Sequence, residues 1–140
     1  MKKALNYLEF PFTVEEIKRI ILLPESYKIR NYKSCRRVDD ATWIEDYGDD
    51  YLVKYHVSED SDCRLVLENY RIMDIHNYVK ELIFTFELVS EHSCIVRVQE
   101  RVKSGSVVRR ITVLADSYSK TSTYLIDMLE KLLKHCRRAR

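Results

Sequence analysis

The hydrophobic pattern changes period twice along the chain. Lys2 to Phe10 reads as a first strand, with Leu5, Tyr7 and Leu8 able to pack. Phe12-Thr-Val-Glu-Glu-Ile17 then carries the marks of a helix start. Thr13 is placed to cap the amide of Glu16, and Glu16 to reach back to the amide of Thr13, a reciprocal capping box with Phe12 and Ile17 as its hydrophobic staple. Val14, Ile17, Ile20 and Ile21 recur at helical spacing and form the buried stripe. Pro24 interrupts this helix and is placed to open a second short one, Glu25 to Tyr32, because proline is tolerated in a first turn.

After Ser34 the period becomes two. Ala41 to Asp46, with Trp43 and Ile44, reads as a strand, and Tyr47-Gly-Asp-Asp50 is turn chemistry. Tyr51, Val53, Tyr55 and Val57 alternate with Leu52, Lys54 and His56, a half-buried strand. Cys63 to Met73, Val79 to Val89 and Cys94 to Val102 repeat that pattern between polar turns. Beyond Ser104-Gly105 the apolar or small positions Val107, Ile111, Leu114, Tyr118, Thr121, Leu125, Met128 and Leu132 alternate spacings of four and three. That is one face of a helix. Acid-to-lysine pairs Asp116–Lys120, Asp127–Lys131 and Glu130–Lys134 fit its outer side. We read one long C-terminal helix. The alternative is a seventh strand over Ser106 to Leu114 with the helix starting at Asp116, although Arg109 and Arg110 spoil both faces of such a strand. The expected fold class is α+β: a curved antiparallel sheet of six strands, or seven on the alternative, a short N-terminal helix pair, and a long helix packed across the sheet.

Composition narrows the classes. At 140 residues the chain is the size of one domain with a real core, spanning 1–140. Only two glycines and two prolines argue against disorder and against phosphate-cradling loops. A net charge of +2 is too small to imply a polyanionic partner. Charge is unevenly placed: Lys28, Arg30, Lys33, Arg36 and Arg37 are followed by Asp39, Asp40, Glu45, Asp46, Asp49 and Asp50. The plain reading is two solvated elements that offset each other. No secretory leader and no membrane span is spelled out, so a cytoplasmic location is expected. The four cysteines, Cys35, Cys63, Cys94 and Cys136, are far apart and read as free thiols acting as small core residues. No metal-ligand spacing and no nucleophile elbow is present, and neither metal nor cofactor is expected.

The order of elements resembles the helix-grip fold, the START-like (SRPBCC) superfamily that includes plant pathogenesis-related proteins and polyketide cyclases. The likeness extends over essentially the whole chain. It rests on Phe10-Pro-Phe-Thr-Val-Glu-Glu opening the helix, the Phe-Thr-Phe-Glu-Leu88 strand, and the Val-Gln-Glu-Arg-Val102 strand running through Ser104-Gly105. In detail it resembles small uncharacterised bacterial members. The resemblance implies a cavity between helix and sheet and a small hydrophobic or amphipathic ligand held there without catalysis. The helix would present Tyr118, Leu125, Met128 and Leu132. The sheet would answer with Trp43, Tyr55, Phe84, Phe86, Val96 and Val98, with Glu100 as a polar anchor. The competing expectation is a closed core in which these residues pack on one another. No catalytic motif of any branch matches.

Two other classes remain. An enzyme would use Glu100 as acid or base in the pocket. A nucleic-acid or protein adaptor would use the 27–37 surface, where Tyr27 and Tyr32 interleave with basic residues as a stacking and phosphate-holding platform. Low overall charge weighs against nucleic acid. A protein partner or a homodimer is compatible with everything above.

Overall fold

The computed structural model describes residues 6–73, 79–103 and 124–139. Its strands are β1 (Tyr7–Phe10), β2 (Ser34–Asp39), β3 (Thr42–Asp46), β4 (Leu52–Asp60), β5 (Arg64–Arg71), β6 (Lys80–Ser90) and β7 (Ser93–Val102). They form one seven-stranded antiparallel sheet in the order β1-β7-β6-β5-β4-β3-β2. From β2 to β7 each strand pairs with the next in sequence. Register shifts between Arg37 and Asp39, Val57 and Glu59, and Leu88 and Ser90 mark bulges. Bulges add local bend and twist, and the sheet is curled and open.

Helix α1 (Val14–Ile21) forms as its sequence dictates. The Thr13 hydroxyl accepts from the Glu16 amide at 3.2 Å, and the Glu16 carboxylate accepts from the Thr13 amide at 3.3 Å. Val14, Ile17, Ile20 and Ile21 are its buried residues. The expected second helix over Glu25 to Tyr32 does not form. The chain makes a turn, with Ser26 and Tyr27 amides donating to the Leu23 carbonyl at 3.0 and 2.9 Å. It then runs extended into β2. The reason is the spacing of what must be buried: Ile29, Arg30 and Tyr32 go inside while Lys28 and Asn31 stay out, a near-alternation that suits extended chain. The strand not foreseen is β2, Ser34–Asp39, a mostly exposed edge with few apolar residues. The alternative strand over 106–114 lies outside the described residues.

Helix α2 occupies 124–139 among the described residues. Leu125, Met128, Leu129, Leu132 and Cys136 are its buried positions, and all join the core of the sheet's concave side. Strand register defines that side. Trp43 stands opposite Tyr55, Tyr55 opposite Asn69, Leu65 opposite Phe84, and Phe84 opposite Val98. Helix α2 also docks on the extended 27–33 segment. His135 Nε2 donates to the Lys28 carbonyl at 2.9 Å, Lys131 Nζ reaches the Asn31 side-chain oxygen at 2.5 Å, and the Tyr27 ring meets His135 edge-on. That docking holds residue 30 between helix and sheet.

Candidate functional site

Of the residues expected to line the helix–sheet interface, Trp43, Tyr55, Phe84, Phe86, Leu125 and Met128 fall in one contiguous buried cluster. Tyr118 lies outside the described residues. Glu100 is on the concave side, half-buried, and its Oε1 lies 3.2 Å from Lys80 Nζ.

The centre of the site is a pair the sequence disguised as surface charge. Arg30 and Glu45 face each other with no side-chain exposure on either. Arg30 Nε donates to Glu45 Oε1 at 2.9 Å and Oε2 at 3.0 Å, and Nη2 donates to Oε2 at 2.5 Å. Two further donors complete the carboxylate: Trp43 Nε1 at 3.0 Å and the Tyr47 hydroxyl at 2.6 Å. Buried charges persist only when paired and hydrogen-bonded in this way.

Local backbone explains how the four meet. Trp43 and Glu45 alternate on the same face of β3, so the indole N–H falls beside the carboxylate. Tyr47 follows at the strand end, where Gly48, Asp49 and Asp50 all adopt positive φ, 89°, 53° and 62°. This tight loop is closed by the Gly48 amide donating to Asp46 Oδ1 at 2.8 Å and the Tyr51 amide to the Gly48 carbonyl at 2.9 Å. A side chain at Gly48 would run into Lys33, whose Nζ lies 2.7 Å from the position of a Cβ.

Aromatic rings wall the pair. The Arg30 guanidinium carbon lies 4.5 Å from the centroid of the Tyr55 ring, a cation–π contact. Tyr55 in turn stacks on Trp43, centroids 5.6 Å apart and planes 7° from parallel. Tyr124, on α2, adds its hydroxyl beside that of Tyr55. The residue as a whole is partly exposed, and burial pushes its hydroxyl up to about 12. Burial also raises the Tyr55 and Tyr47 hydroxyls, so both remain protonated donors at neutral pH. Burial alone would raise the Glu45 carboxyl, but the Arg30 charge and the hydrogen bonds from Arg30, Tyr47 and Trp43 outweigh it and hold the group below the usual range. Glu45 is ionised.

Several expectations need correcting. Arg30 is not part of an exposed basic surface. Tyr32 is buried with its hydroxyl on the Pro24 carbonyl, and Tyr27 is half-buried against His135, so the two rings do not stand exposed among the basic residues. Arg37 is committed to Glu25 at 2.8 Å and to the Leu22 carbonyl at 2.8 Å. Cys63 is exposed, not a core residue, whereas Cys94 and Cys136 are buried. Sequence reasoning missed Arg30, Glu45, Tyr47 and Tyr124. For Glu45 a signal was present, because strand alternation with Trp43 places both on one face. Among the described residues no group of three His, Cys, Asp or Glu is placed to hold a metal, and no helix is long and apolar enough to cross a membrane.

No protein-family model and no curated protein matches the chain. Solved structures do. A conserved protein from Geobacillus kaustophilus matches with TM-score 0.69 at 16% identity, over 95% of this chain and 93% of that one. A START superfamily protein from Mycobacterium smegmatis matches with TM-score 0.67 at 16% identity, over 96% of each. DynU16, from the dynemicin biosynthetic locus, matches with TM-score 0.65 at 11% identity, over 96% of this chain and 46% of that one. The chain has the START-like, helix-grip fold. Fold of this kind hosts many activities, so function rests on the site itself.

Proposed function

We propose that the protein is a binding domain for a small hydrophobic or amphipathic ligand, held between α2 and the concave side of the sheet, without catalysis. The observation that supports this reading is the convergence of a few polar groups inside an otherwise apolar helix–sheet interface. The Tyr55 and Tyr124 hydroxyls and the Arg30–Glu45 pair lie among Trp43, Phe84, Leu125 and Met128. Ligand sites have this make-up: apolar walls supply affinity and a few fixed polar groups supply orientation. Four free cysteines fit a protein acting in the reducing cytoplasm.

The alternatives are less well supported. Glu100 pairs with Lys80, which leaves it poorly suited to act as a lone acid or base. Tyr27 packs edge-on against His135 and the Tyr32 hydroxyl is held by the Pro24 carbonyl, which weighs against both as base-stacking rings.

Native mass spectrometry of protein purified without denaturation tests the proposal. A co-purifying small molecule, released by organic extraction, is the expected result. A clean mass of the chain alone, together with no binding of apolar probes, would sink it in favour of a closed core.

A further inference from the structure

The Arg30 guanidinium is only partly used. Its Nε and Nη2 edge is bound to Glu45, while Nη1, on the opposite side of the planar group, is buried and meets no hydrogen-bond partner among the described residues. A buried N–H without a partner is costly, and such a group calls for an explanation. We propose that Arg30 Nη1 is the polar anchor of the ligand site, and that it takes an uncharged oxygen acceptor, a carbonyl carried on an aromatic or alicyclic body. This rests on the binding-domain reading above.

Charge balance selects the acceptor. Arg30 is already neutralised by Glu45, and Lys80 by Glu100. A carboxylate entering here would be a further anion beside buried Glu45 with no cation of its own, and burying an uncompensated charge costs far more than burying a carbonyl that gains a hydrogen bond. Glu45 itself accepts from Arg30, Trp43 and Tyr47, so its oxygens are taken and the ion pair offers a donor, not an acceptor. The ring of Tyr55 lies across the guanidinium face at 4.5 Å and is backed by Trp43. A planar body held by its carbonyl at Nη1 would therefore lie against aromatic surface.

The chain has one tryptophan, Trp43, and it stands within this wall. Its emission reports occupancy directly. The experiment compares three probes of one body, acetylnaphthalene, ethylnaphthalene and naphthoate, by quenching of Trp43 and by calorimetry. The ketone is expected to bind about tenfold tighter than the hydrocarbon, the effect of one hydrogen bond to a charged donor. Naphthoate is expected to bind no tighter than the hydrocarbon. In Arg30→Lys, which keeps a cation facing Glu45 but has no second nitrogen, the ketone advantage is expected to vanish with hydrocarbon affinity retained. Equal binding of all three by the native protein means that Nη1 holds an ordered water only, and overturns the assignment while leaving the binding site intact. Tightest binding by naphthoate overturns the choice of an uncharged acceptor. A ketone advantage that survives in folded Arg30→Lys moves the anchor elsewhere. Failure of every probe to bind overturns the binding-domain reading and this inference together. The native comparison decides even if the variant does not fold.

Discussion

Arg30 and Glu45 come from different elements, the extended segment before β2 and the end of β3, and meet with both side chains fully enclosed. Removing one partner leaves the other charged and buried. Glu45→Leu or Arg30→Met alone is expected to cost about 3–5 kcal/mol in chemical denaturation. The double variant is expected to cost clearly less than the sum, because it leaves no stranded charge. Additive losses would mean that the two residues are not energetically coupled.

The same pair sets an acid limit. The Glu45 carboxyl is held below its ordinary range in the folded state, and its unfolded value is about 4.3. A depressed folded value stabilises the protein above the unfolded value, and that contribution disappears as pH falls below it. Stability measured by urea melts is expected to be flat from neutrality to about pH 5 and to drop below about pH 4.3. Glu45→Gln should flatten the drop while lowering stability at neutral pH. A native-like acid drop in that variant would assign it to other carboxylates.

Thiol reactivity should sort by position. Cys63 is exposed in the turn between β4 and β5, Cys35 is half-buried, and Cys94 and Cys136 are buried. Burial pushes the Cys35 and Cys94 thiols up to about 11, which keeps both protonated and unreactive near neutrality. Titration with an aromatic disulfide reagent is expected to show one fast thiol, lost in Cys63→Ser, with the buried pair reacting only on unfolding. Because the folded values are raised, protonated Cys35 and Cys94 support the fold below about pH 8.5 and that support is lost as pH rises through 11. Fast reaction at Cys94 in the folded protein would contradict the packing of its strand.

The helix start is a separate, local lever. Thr13→Ala removes the hydroxyl that accepts from the Glu16 amide and is expected to lower stability by about 1 kcal/mol. Thr13→Ser should restore most of it. The measurement is a shift of the denaturation midpoint at unchanged slope.

Alternation and capping made much of the architecture legible. The Thr13–Glu16 box, and the period-two runs that became β4 to β7, were readable because each is a local pattern with one dominant cause. The helix face through Leu125, Met128 and Leu132 was readable for the same reason, and these residues do pack on the sheet. What escaped depends on partners distant in sequence. Strand β2 carries almost no apolar alternation and is held by pairing with β3. The turn after Pro24 replaces a helix because the burial of Ile29, Arg30 and Tyr32 overrides local propensity. An arginine inside a basic run looks solvated until a carboxylate on another strand claims it. The buried ionic pair was therefore the least visible part of the interior, while Trp43, Tyr55, Phe84, Phe86, Leu125 and Met128 were readable as positions facing the core.

The sheet order also has a consequence for how the molecule is made. Strand β1 pairs with β7, Tyr7 with Arg97 and Phe10 with Cys94, while every other pairing joins neighbours in sequence. On a ribosome β1 emerges first and waits for nearly the whole sheet before it finds a partner, a long loop to close. Arg30, Glu45 and the β2–β3–β4 meander have all emerged much earlier. A nascent chain halted after β6 thus carries both partners of its ionic centre without the α2 that docks over Arg30, and an unpaired β6 edge alongside Leu82, Phe84 and Phe86. An open edge of that composition invites pairing with another chain, which makes the interval before β7 emerges the moment of greatest risk of aggregation.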